Sequence, residues 1–193
     1  MNNTFTYAFP AIRGIQAGRE FYVSMCPMRV LVKMFTFADN EMPPELRAQR
    51  SLNKTRVPEI ARYIVANPQD YTFSAITASI DGDCEFEPSG EENVNQFRMG
   101  TLTVDMNAKF IVNDGQHRRA AIQQALEMAP SLGDETIPVV FFLDRGLKRC
   151  QQMFADLNRH AVKPSSSLSV LYDHRSAAAQ LARHLSLSSD IFR

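Results

Sequence analysis

A mixed α/β domain is the fold class this sequence predicts, and three observations predict it. Short runs rich in Val, Ile, Phe and Tyr alternate along the chain with stripes of helical spacing. The composition, 45% apolar and 22% charged, is that of a globular chain and excludes wholesale disorder. With 193 residues, one domain over 1–193 can bury about 70% of its unfolded surface around a single core.

Each element follows in chain order. The first forty residues read as strands, Arg19–Ser24 and Arg29–Phe37, broken at Cys26-Pro27. Pro43-Pro44 opens a helical region. In its second helix Val57, Ile60, Ala61 and Ile64 fall at i, i+3, i+4 and i+7, and Pro58 sits in the first turn, where a missing N–H costs little. Tyr71–Ile80 reads as a strand and 81–96 as a solvated loop. Gly100–Val104 and Lys109–Asn113 read as a hairpin, followed by a helix from Gln116 to Ala129. Ile137–Leu143 is the most hydrophobic strand and is expected near the centre of the sheet. It is also the longest apolar run, too short to cross a membrane as a helix. Leu147, Cys150, Phe154 and Leu157 mark a third amphipathic helix, and Ser165–Ser167 can cap a last helical segment reaching Leu187. The end at Asp190-Ile191-Phe192-Arg193 carries no stop signal, so a chain trimmed from a longer one is expected.

Lys plus Arg equal Asp plus Glu at 21 each, so the formal net charge is zero. That balance argues against a tail-driven nucleic-acid binder. It is, however, an average. Residues 81–105 hold seven acids against Arg98 alone, whereas 144–193 hold eight basic residues against four aspartates. Arg47, Arg50, Lys54, Arg56 and Arg62 form a second basic stretch. Helices so charged can neutralise phosphates while the molecule stays neutral, or can be solvated faces. Cys26, Cys84 and Cys150 are odd in number and form no CxxC pair, which fits a reducing cytoplasm. Cys26 is more simply a packed cysteine than a reactive or DNA-contacting one. The four histidines lack metal-ligand spacing, and no metal is expected.

The segment 110–119, Phe-Ile-Val-Asn-Asp-Gly-Gln-His-Arg-Arg, carries the most chemistry. An apolar strand meets a glycine and then a helix whose free N–H groups and macrodipole favour an anion. Gly115 lets backbone approach a ligand, and Gln116, Arg118 and Arg119 can close on a phosphate. Asp114 can hold His117, orient a water or bind a metal. Equally, Asp114 can cap the helix while both arginines pair with surface carboxylates.

Asp114-Gly115-Gln116-His117-Arg118 is similar to the signature of the DGQHR-domain family, which has a ParB/sulfiredoxin-like fold. Gln49-Arg50 and Arg56–Ile64 resemble that family's upstream helix. The block Phe154–Ser165, with Asp156, Asn158 and Lys163, resembles its downstream block, and Arg13–Tyr22 points to the DndB group within it. The resemblance implies a bacterial DNA-binding protein that represses the genes for DNA phosphorothioation (DNA sulfur modification). It places a nucleotide or nucleic-acid phosphate at Gly115, Gln116, Arg118, Arg119 and Asn158. Arg50, Arg56, Arg159, Lys163 and Arg175 are the further candidate contacts to double-stranded promoter DNA. No cofactor beyond a nucleotide is expected.

Two other function classes stay open. An NTPase or DNA-nicking enzyme would use Asp114 and His117 on water, with Arg118 stabilising phosphate charge. A protein-interaction module would dock other phosphorothioation proteins. A repressor is often a two-fold oligomer, but no heptad marks an interface.

Overall fold

The computed structural model describes residues 5–35, 52–53, 55–89, 98–143, 147–159 and 165–188. They fall into two compact units, residues 1–157 and 158–193. The first holds a seven-stranded mixed sheet and the second a pair of helices, so the class is α/β as expected.

The first unit begins with β1 (Thr6–Gln16) and β2 (Arg19–Pro27), an antiparallel pair joined at Ala17-Gly18. Both turn residues have positive φ, 50° and 73°, the geometry that matches the twist of two-residue hairpins. Pro27 then ends the strand, and Met28–Met34 forms α1. The strand expected over 29–37 is therefore corrected through residue 35. Its β-branched Val30 and Val32 suggest a strand, but Met28, Leu31 and Met34–Phe35 recur at helical spacing and are the buried ones.

Helix α2 (Arg56–Ala66) buries Ala61 and Ile64 from the anticipated stripe. Strand β3 (Ile76–Asp81) is shorter than the Tyr71–Ile80 expectation. Within the supposed loop 81–96 lies β4 (Cys84–Pro88), paired with β5 (Arg98–Asp105). Its period-2 signal is present, with Cys84 and Phe86 alternating with Glu85 and Glu87, but the acidic residues mask it.

Strands β5 and β6 (Lys109–Asp114) occur close to where they were expected, yet they do not pair with each other. β5 pairs with β1 and β4, and β6 pairs with β3, giving the order β4-β5-β1-β2-β7-β3-β6. A short turn can join them because the sheet curls. Four strand spacings of a flat sheet would separate β1 from β6 by about 19 Å. Instead the rings of Tyr7 and Phe110 lie 6.1 Å apart, edge to face. The concave side holds the core, in which the Phe9, Phe35 and Phe110 rings each pack against Phe141, and Phe35 also against Phe110. Helices α1 and α3 (Gln116–Met128) pack on this side, with α2 against α3.

Strand β7 (Thr136–Leu143) lies between β2 and β3, antiparallel to the first and parallel to the second. Ile137, Val139 and Phe141 are buried as its hydrophobicity suggests. Helix α4 (Leu147–Arg159) follows. In the second unit the single segment expected to Leu187 is broken into α5 (Ser166–Tyr172) and α6 (Ala177–Ser188). Asp173 Oδ1 accepts from the N–H groups of Arg175 and Ser176 at 2.9 and 3.0 Å, a side-chain turn that competes with the helix ladder. Ser165 caps α5 as expected, accepting from the Leu168 N–H at 3.3 Å. The helical region at Pro43-Pro44 lies outside the described residues. Among the described residues no helix is long and apolar enough to cross a membrane.

Candidate nucleic-acid interface

The strand-to-helix junction is held from both faces of β6. Phe110 and Val112 enter the core. On the opposite face the fully buried Asn113 donates to Ser79 Oγ at 2.7 Å and to Met153 Sδ at 3.1 Å. The chain then turns at Gly115, whose φ of 99° is left-handed. A Cβ there would lie 2.9 Å from Ile76 Cγ1 and 3.0 Å from Arg118 Nη2, so both conformation and space require glycine. The first intrahelical bond runs from the Arg119 N–H to the Gly115 carbonyl at 2.9 Å, and no side chain caps α3. The alternative in which Asp114 caps this helix is thus not what the geometry displays.

Asp114 instead pairs with Arg118, 2.6 Å between Oδ2 and Nη2. Arg118 folds back over the glycine and also donates to the Ala75 carbonyl at 3.2 Å and to Ser74 Oγ. Its neighbour Arg119 points inward. Only 6% exposed, it donates to Gln123 Oε1 at 2.7 Å and to the Val32 carbonyl at 3.0 Å, near the end of α1. Burial lowers the pKa of this guanidinium. Gln116 is also buried, and its Nε2 meets no partner. Of the two arginines singled out in the sequence, one ties the turn to the residues just before β3 and the other ties α3 to α1.

His117 points toward the start of α2. Its Nε2 accepts from the Asn53 N–H at 3.0 Å, so the ring proton sits on Nδ1. Burial and the Arg56 charge push its pKa below the ordinary imidazole value, which favours the neutral ring. Asn53 also organises the entry to α2: its carbonyl accepts from the Arg56 N–H at 3.1 Å and its Oδ1 from the Thr55 N–H at 3.0 Å. The N-terminal ends of α2 and α3 therefore meet around His117, with the exposed Arg56 beside them. Two positive helix ends together with a guanidinium make a local positive field suited to a phosphate.

The other candidates are placed as follows. Arg159 is exposed in the last turn of α4, and Arg175 is exposed between α5 and α6. Arg50, Lys163 and the Asn158 side chain lie outside the described residues. Asp156 accepts from Gln152 Nε2 at 2.7 Å on the exposed side of α4. Cys26 is fully buried, and burial pushes its thiol up to about 12.

The residues that position the site were not found from sequence. Asn53 precedes Thr55 and the proline-bearing helix start in an Asx pattern that could have revealed it. Ser74 and Ala75 give no local signal, because they reach Arg118 across more than forty residues of chain.

A curled mixed sheet, a strand that turns through a left-handed glycine, and two converging helix starts together define an α/β protein with a strand–glycine–helix junction. The family profile described as DndB, DNA-sulfur modification-associated, matches residues 9–193, and the chain belongs to that family. Comparison with curated proteins and with solved structures gave no match. Family membership associates the chain with DNA sulfur modification.

Proposed function

We propose that this chain is a cytoplasmic DNA-binding repressor of the DNA phosphorothioation genes, with promoter DNA as its partner. The observation that carries the reading is the meeting of two helix N-termini at His117, beside Arg56, in a chain of the DNA-sulfur modification family. Such a site contacts backbone phosphate without reading bases. It fixes orientation, while sequence is read elsewhere. Gly115 and the first amides of α3 receive the phosphate, Arg56 neutralises it, and Arg118 holds the turn's shape from behind. Exposed Arg159 and Arg175 add contacts. The same junction also suits the phosphate of a free nucleotide.

The hydrogen bonds favour binding over hydrolysis. Asp114 is engaged by Arg118 and His117 by Asn53, so the pair that would activate water is turned toward other partners. Electrophoretic shifts on DNA upstream of the modification genes test the proposal. The expected result is a complex that forms at low salt and dissolves as salt rises. Absence of any complex at low salt overturns it, and nucleotide turnover lost in Asp114→Ala would support the enzyme instead.

A further inference from the structure

We infer that α6 is the element that reads base sequence, through a strip formed by Gln180, Arg183, His184 and Leu187. The inference rests on the DNA-binding reading above and deepens it by naming where specificity resides. These residues fall at i, i+3, i+4 and i+7 of a twelve-residue helix, which places them on one side. With His174 and Ser188 they line a cleft of about 570 Å³ with no acidic side chain among the described residues that line it. The opposite flank of α6 carries Leu181 and Leu185, also at i and i+4, so the helix has one apolar and one polar, basic side.

Charge is arranged to leave that strip positive. Asp173 is the sole acid between Ser165 and Ser188, and its carboxylate is occupied by the turn, where the Ser176 and Arg175 N–H groups hold its pKa below the usual range. Arg183 donates to the ring Nδ1 of His174 at 3.0 Å, and among the described residues no carboxylate pairs with it. Gln180 Nε2 donates to the His174 carbonyl at 2.6 Å, leaving Oε1 directed by a fixed amide. The turn between α5 and α6 thereby fixes both side chains before any ligand arrives.

The chemistry matches the edges of base pairs in a major groove. A guanidinium pairs with the acceptors of guanine, an amide with adenine, and an apolar tip such as Leu187 with a thymine methyl. Ala177 in the first turn adds no bulk where the helix would approach DNA. A phosphate-only surface needs neither the amide nor the leucine.

The test compares full-length protein on a duplex from upstream of the modification genes and on an unrelated duplex of equal length, by fluorescence anisotropy. Wild type should prefer the first. Arg183→Ala should cut that preference roughly 10- to 100-fold. Arg183→Lys, which keeps the charge but loses the planar fork, should keep affinity for the unrelated duplex and lose the preference. Gln180→Ala should lower the preference without changing the salt dependence. Thermal unfolding verifies that all three variants fold. A preference unchanged in Arg183→Ala, Arg183→Lys and Gln180→Ala overturns the inference while leaving the repressor reading standing. No binding of either duplex by wild type removes the repressor reading itself, and this inference with it.

Discussion

The strand–turn–helix junction and the C-terminal helix pair are both rich in basic side chains, and they hold them in opposite ways. At the junction Arg118 is bound by Asp114, Ser74 and Ala75, Arg119 is buried against Gln123 and Val32, and His117 accepts a backbone N–H. Among the described basic residues there, Arg56 stands exposed, beside backbone amides of α3 that no side chain caps. In the helix pair the one acid is consumed by a turn, while Arg175 and His184 lie exposed and Arg183 half-buried. The junction uses its arginines to build a backbone geometry, whereas the basic side chains of the helix pair lie nearer the surface. A basic residue in a motif is therefore no evidence of a phosphate contact until its partners are known.

The largest expected effect breaks the comparison most sharply. Arg119→Ala opens space in the core and strands two acceptors, so a loss of about 3 kcal/mol is expected. In a domain of this size that lowers Tm by roughly 6–12 °C. Arg183→Ala in the helix pair should stay within about 0.5 kcal/mol of wild type. Thermal unfolding of both variants is the check, and similar losses would erase the contrast.

A smaller effect separates two left-handed glycines. Gly115→Ala should cost about 2 kcal/mol, since it strains the backbone and also meets Ile76 and Arg118. Gly18→Ala shares the positive φ but meets nothing within 4 Å, so about 1 kcal/mol is expected there. Urea unfolding that ranks Gly18→Ala as the worse variant would contradict the close approach at the junction.

Acid should loosen the two regions at different pH. The folded His117 has a depressed pKa, so its contribution is intact above the ordinary imidazole value of about 6.5 and fades as pH falls below it. The depressed carboxyl of Asp173 keeps its contribution until pH falls below about 3.9, the ordinary carboxylate value. Hydrogen exchange at pH 5 should show the start of α3 losing protection while the start of α6 keeps it. His117→Gln should remove the first change. Smallest of all, Cys26 should resist alkylation in the native protein at neutral pH, because its thiol is raised to about 12 and buried. Peptide mapping that finds it labelled as fast as in the unfolded chain would show the β2 end to be open.

How far the sequence could be read depends on the range of the interactions involved. The stripe in α2, the apolar run of β7 and the glycine junction were legible because each is written within ten residues. Helix α1 was misread as a strand because Val30 and Val32 obscured the period set by Met28, Leu31 and Met34. The separation of β5 from β6 was not legible, since it follows from sheet curl carried by contacts such as Tyr7 on Phe110. At the junction the motif lies on a strand–glycine–helix turn, but the partners of its arginines include Ser74, Ala75 and Val32, which are distant in sequence.

The central claim is that the junction receives DNA phosphate through α3's uncapped start and Arg56. Its most direct test is the slope of log Kobs against log salt for wild type and Arg56→Ala on the same duplex. Losing one phosphate contact should reduce the slope by about 0.9 and weaken binding equally on target and unrelated DNA. An unchanged slope and affinity in Arg56→Ala would contradict the account.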